Sequence, residues 1–80
     1  MTQNDVDNLT EGTLLRYHGS EHLSIGKFYR DTQNIKNSPY RLRRITMRHS
    51  GYDNDWAMYR LQDYEIITEA QALLLMLEEQ

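Results

Sequence analysis

Between Leu9 and Ile67 the chain alternates short apolar and aromatic runs with clusters of turn-forming residues. Short runs that end at glycine, proline, asparagine, aspartate or serine are typical of antiparallel β-strands. This alternation of short runs and turns predicts a small antiparallel sheet of about five strands, strongly bent or closed into a barrel. The predicted strands lie at 13–17, 26–30, 40–49, 56–60 and 64–67, with turns at 34–39 and 50–55.

The end of the sequence follows a helical pattern instead. Thr68 and Gln71 have the Thr-x-x-Gln spacing of a capping box, in which the threonine hydroxyl accepts a hydrogen bond from the Gln71 backbone. Glu69 suits the positive end of the helix dipole. These signals predict a helix over 69–79 and a fold that is mostly β with a C-terminal α-helix (α+β).

This helix has more apolar residues than one buried face needs. One set has helical spacing, and we expect it to pack on the sheet: Ala70, Leu73, Leu74 and Leu77. Leu75 and Met76 widen the apolar surface beyond that set. We therefore expect Leu75 and Met76 to be available for contact with a second copy of the chain or with another protein.

The run at 39–49, PYRLRRITMRH, combines four arginines with four apolar or aromatic residues. Side chains alternate between the two faces of a strand, and here the apolar residues fall on both parities. A one-residue bulge at 43–44 would bring them to one side and leave the arginines as a solvated stripe. The arginines are Arg41, Arg43, Arg44 and Arg48.

Charge is distributed unevenly along the chain, although the net charge is only -3. Residues 27–60 carry eight lysines and arginines against three aspartates, whereas residues 61–80 carry five acids and no base. Residues 1–26 hold one arginine and four acids. Such asymmetry indicates a partner surface in the basic middle, unless the segments neutralise one another within the fold.

The opening GTLLRYHG, the strand pair and the closing LQDYEII make the chain resemble the SH3-like small β-barrels. The resemblance covers about residues 11–67 and implies a binding role, with a short turn at 61–63 between the last two strands. It implies no proline-peptide groove, because the acidic-aromatic ALYDY-type signature is absent. The expected organisation is a flexible acidic tail at 1–8, the β domain at 9–67, and the amphipathic helix at 68–80, packed on the sheet or at an interface.

Several kinds of chemistry have no support in the sequence. There is no cysteine, and His18 and His22 lie around a glycine and a serine, so their four-residue spacing is not a helical metal site. No Gly-x-Ser-x-Gly occurs, and a domain this small lacks a deep pocket. We expect no enzymatic activity, cofactor or metal. No apolar run is long enough for a membrane span and the N-terminus is polar and acidic, which favours a cytoplasmic protein.

The leading hypothesis is a non-enzymatic protein-binding module, adaptor-like or inhibitor-like, of the kind common among bacterial and phage accessory proteins. Its partner would be a protein with an acidic surface, because arginine and tyrosine are enriched at interface hot spots. The alternatives are a small nucleic-acid-binding barrel that uses the same arginines, and a structural subunit that forms a homodimer through its C-terminal helix. The candidate binding residues are Tyr29, Arg30, Tyr40, Arg41, Arg43, Arg44, Arg48, Tyr59 and Arg60.

Overall fold

The computed structural model describes residues 1–33, 39–46 and 54–79. Within these residues it contains a five-stranded antiparallel sheet and two helices, which confirms the α+β class. The elements are α1 Gln3–Asp7, β1 Leu14–Tyr17, β2 Ser24–Arg30, β3 Tyr40–Arg44, β4 Asp55–Ala57, a 3₁₀ turn Leu61–Asp63, β5 Tyr64–Ile67 and α2 Glu69–Glu78.

The sheet has the strand order β4-β3-β2-β1-β5, with every neighbouring pair antiparallel. The first four strands follow one another as a meander, and the 3₁₀ turn Leu61–Asp63 separates β4 from β5, so that the last two strands form opposite edges. This arrangement is compatible with a small β-barrel-like fold.

The predicted bulge at 43–44 is wrong. The ladder between β2 and β3 is continuous from Arg30↔Tyr40 to Gly26↔Arg44, with one residue opposite one residue throughout. Two cores on opposite faces of the sheet remove the parity conflict that motivated the bulge. Leu42 packs into one core, and Ile45, just beyond the strand, packs against the other.

The first core lies on the face of the sheet that α1 covers. Leu15, Phe28 and Leu42 are at most 1% exposed and come from three adjacent strands. Alternate residues of these strands share the face, so their side chains meet across the sheet. The buried members are Val6, Leu9, Leu15, Phe28, Leu42, Met58 and Tyr64.

Residues 1–8, expected as a flexible tail, include the short helix α1. Thr2 and Asp5 form a reciprocal capping box at the start of α1, and Val6 is fully buried in the first core. The segment is polar because most of its residues cap the helix or face solvent. Val6 and Leu9 supply the buried apolar contacts of this segment with the first core.

The second core lies between the opposite sheet face and α2. Its buried members are Leu14, Ile25, Ile67 and Ala72. The capping box at the start of α2 is confirmed, because the Thr68 hydroxyl accepts from the Gln71 backbone and the Gln71 side chain accepts from the Thr68 backbone. Within the described parts of the chain, no helix is long and apolar enough to cross a membrane.

Candidate functional site

The arginines of β3 lie on both faces of the sheet. Arg41 and Arg43 alternate with Leu42 and therefore point to the face opposite the first core. Arg44 shares the face of Leu42. Arg48 lies outside the described residues. The stripe predicted from the sequence is thus divided between two surfaces.

Arg41 is held by two side chains of its own face. Its Nη2 lies 3.1 Å from Oδ1 of Asp55, and its Nε donates to the Tyr29 hydroxyl at 3.3 Å. The Tyr29 hydroxyl in turn donates to Oδ2 of Asp55 at 2.8 Å, which closes a triangle. The Arg41 side chain is only 17% exposed, so this guanidinium holds β3 to its neighbours rather than extending into solvent.

The same triangle sets the ionisation of its members. The hydrogen bond from Tyr29 is the largest effect on the pKa of Asp55 and lowers it below its usual value. Burial opposes this, and the hydrogen bond from Arg41 adds a smaller lowering. Burial, followed by the hydrogen bond to Asp55, raises the pKa of Tyr29. Asp55 is therefore a carboxylate and Tyr29 a neutral phenol at neutral pH.

Arg43 is exposed on this same face, above the triangle. Its guanidinium lies 5.7 Å from the centre of the Tyr29 ring, and the strand register places exposed Lys27 directly opposite it. Two cations on facing positions make a small basic patch, consisting of Lys27 and Arg43. The sequence alone does not single out Lys27, because only the pairing of β2 with β3 brings Lys27 and Arg43 together.

On the opposite face, Arg44 contacts groups of the same chain. The Arg44 guanidinium lies 4.5 Å from the centre of the Trp56 ring, and Nη1 donates to the Ser24 hydroxyl at 3.2 Å. Ser24 is 2% exposed, so the contact also satisfies a buried hydroxyl. Trp56 itself donates from Nε1 to the Tyr64 hydroxyl at 2.8 Å, and burial raises the pKa of Tyr64 to about 12.

Arg30 and Tyr40 fasten α1 to the sheet. Arg30 Nη2 donates to the carbonyl oxygens of Asp7 at 3.0 Å and Val6 at 3.4 Å, which lie at the end of that helix. The Tyr40 hydroxyl donates to Oδ1 of Asp7 at 2.6 Å. This hydrogen bond lowers the pKa of Asp7 and raises the pKa of Tyr40.

The last two candidate residues lie in the connection after β4. Tyr59 and Arg60 are both exposed, and Tyr59 is 66% exposed. The candidates that the structure describes thus occur in three settings: with Asp55, against the first core and α1, and in this connection. Sequence alternation alone could have separated Arg43 from Arg44.

The outward face of α2 is apolar, and this reverses the assignment made from the sequence. Ala70 is exposed, and Leu73, Leu74 and Leu77 are 60%, 61% and 61% exposed. Leu75 and Met76, which we expected to be available for association, instead pack against the second core beside Ala72. We call Ala70, Leu73, Leu74 and Leu77 the outer face of α2.

The histidines lie in a polar region at the end of β1. His18 Nε2 is 2.9 Å from Oε1 of Glu65, with both side chains about half exposed. A cleft of about 250 Å³ lies nearby, with basic and acidic groups on its walls. Its ionisable lining residues are Arg16, His18, Glu21, His22, Glu78 and Glu79. Within the described residues no group of three histidine, aspartate or glutamate side chains is placed to hold a metal ion.

Comparison with known proteins found no similar protein. The chain matches no protein-family model, no curated protein and no solved structure.

Proposed function

We propose that this protein is a non-enzymatic protein-binding module, adaptor-like or inhibitor-like, and that its main contact surface is the outer face of α2. One observation carries the proposal. Leu73, Leu74 and Leu77 are each about 60% exposed and adjacent on one helix. Single exposed leucines are common on protein surfaces, but a contiguous row of them marks an interaction site.

The energetics favour a protein partner for this face. Fully burying a leucine side chain contributes roughly 1.5–3 kcal/mol, so three neighbouring leucines provide a large apolar contribution to an interface. Phosphate binding uses cations instead, and residues 61–80 contain no lysine or arginine. An apolar, acidic helix therefore suits a protein far better than a nucleic acid.

We propose further that the fold is an SH3-like small barrel. The five-stranded antiparallel order and the 3₁₀ turn Leu61–Asp63 between the last two strands support it. Barrels of that class serve mainly as binding modules, which agrees with the role proposed from α2.

The basic residues supply a second contact in this proposal. Arg43, with Lys27 opposite, is exposed above Tyr29 and complements an acidic surface on the partner. Tyr59 and Arg60 are exposed as well. Contacts of Arg30, Tyr40, Arg41 and Arg44 with the chain's own groups support a structural role for those four.

Affinity capture from the native host, with and without nuclease, tests the proposal. We expect a captured protein that survives nuclease treatment, is lost with Leu74→Gln and is retained or only weakened with Arg43→Gln. Circular dichroism of both variants controls for folding. Capture that disappears with nuclease and with Arg43→Gln, but not with Leu74→Gln, would establish the nucleic-acid alternative instead.

A further inference from the structure

We infer that the outer face of α2 binds a cationic amphipathic helix, one whose apolar face is bordered by lysine or arginine. The inference rests on the proposed function and specifies its partner. It follows from the charges that border the outer face and from the shape of the leucine row.

Acidic side chains flank the outer face on both sides. Successive residues of an α-helix are rotated by about 100°. Glu69 therefore lies beside Leu73 on one border, and Glu78 lies beside Leu74 on the other. Both glutamates are exposed, and no described side chain forms an ion pair with either of them. The face is thus a strip of leucine between two carboxylates.

A second copy of this helix fits the strip poorly. Residues 69–80 contain glutamates and no lysine or arginine. Whether the two helices run parallel or antiparallel, the second copy brings only further glutamates, and no cation, to the borders of the contact. Either arrangement places like charges at the edge of an apolar contact, which opposes association.

The basic patch of another copy is no better an occupant. Lys27 and Arg43 provide positive charge, but they lie on the sheet beside Tyr29 and Asp55. The described part of that surface has no exposed aliphatic row to cover the leucines. A partner must supply apolar side chains and cations together. Leucines at intervals of three and four residues form a ridge, which fits the groove of another helix.

The two kinds of contact have different effects on binding. The leucines supply most of the affinity, because burying their side chains removes a large apolar surface from water. Exposed ion pairs contribute little each and are screened by salt. The glutamates therefore select among apolar helices and bias binding towards cationic ones.

Two synthetic amphipathic helices of equal length test the inference, one built from leucine and lysine, the other from leucine and glutamate. We expect the leucine–lysine peptide to bind wild-type protein and to shift amide NMR signals of residues 69–79. Leu74→Gln should weaken this binding by about tenfold or more. The leucine–glutamate peptide should not bind.

A matched pair of charge variants separates local from general electrostatics. Glu78→Gln should weaken the leucine–lysine peptide by about two- to fivefold. Asp7→Asn removes another exposed carboxylate, on α1 at the opposite face of the sheet, and should leave binding unchanged. Added salt should weaken binding to wild type more than binding to Glu78→Gln.

Three outcomes would overturn the inference: no binding of the leucine–lysine peptide, equal weakening by the two charge variants, or self-association in sedimentation that Leu74→Gln abolishes. The last would identify a second copy as the occupant. If the peptide fails while host capture still depends on Leu74, only the inference fails. If capture retains no protein at all, the proposed function fails as well.

Discussion

Strand β3 and helix α2 depart from what their sequences suggest in opposite directions. The arginine-rich strand looks like a contact surface, yet Arg41 and Arg44 are engaged with Asp55, Ser24 and Trp56 of the same chain. The leucine-rich helix looks like core, yet three of its leucines are exposed. The residue type limits the contacts that a side chain can make. The neighbouring strands and helices decide whether it makes those contacts within the chain or is left exposed to solvent.

The two regions should differ most in how much the free energy of unfolding falls when a leucine is replaced by alanine. Leu42 of β3 is fully buried, so Leu42→Ala should lower the free energy of unfolding by about 2–5 kcal/mol. Leu74 of α2 is 61% exposed, so Leu74→Ala should change it by no more than about 0.5 kcal/mol. Urea denaturation measures both, and equal losses would refute the outward orientation of Leu74.

Two alanines distinguish the inner face of α2 from its outer face. Ala72 is 2% exposed in the second core, and Ala72→Leu should destabilise the fold by about 1–3 kcal/mol through overpacking. Ala70 is exposed, and Ala70→Leu should be close to neutral. Thermal and urea denaturation of the two variants provides the comparison. The reverse order of stability would mean that α2 packs through its other side.

Two arginines of β3 provide a smaller contrast. Arg41→Gln removes an ion pair and a hydrogen bond, and should cost about 1 kcal/mol, because Asp55 is partly exposed and solvent screens the charge. Arg43→Gln should cost less than about 0.5 kcal/mol. A double-mutant cycle with Asp55→Asn should show coupling to Arg41 and little to Arg43. Equal coupling to both would contradict the triangle.

The smallest expected effect is a pH dependence in the same triangle. The folded-state pKa of Asp55 lies below its ordinary value of 3.8, so the ionised form is favoured by folding. Its contribution is complete above that value and is lost as the pH falls through the folded-state pKa. The stability gap between wild type and Asp55→Asn should therefore narrow in acid, as urea denaturation at about pH 6 and about pH 3 will show. A constant gap would argue against an ionised, hydrogen-bonded Asp55.

Much of the fold can be predicted from the sequence because its signals are local. Turn residues mark the strands, and Thr68 and Gln71 determine the start of α2. The helical face is harder, because α2 is apolar around most of its circumference. Periodicity finds the row of Leu73, Leu74 and Leu77, but it cannot say which row faces inward. The route of the chain from β5 decides that.

The candidate site shows the same limit. Arg41 and Arg43 have the same chemistry in the sequence, and only the pairing of β3 with β4 places Asp55 where it can bind Arg41. The bulge at 43–44 follows from the sequence only if a single face of the sheet is buried, whereas α1 and α2 cover opposite faces.

The central claim is that the outer face of α2 is exposed to solvent. Solvent access to the methyl groups of α2 tests it most directly. A soluble paramagnetic probe, added to the wild-type protein at low concentration, broadens the NMR signals of side chains that water reaches. The structure predicts strong broadening for Leu73, Leu74 and Leu77 and weaker broadening for Leu75 and Met76. Protection of the first three, with broadening of the other two, would contradict it.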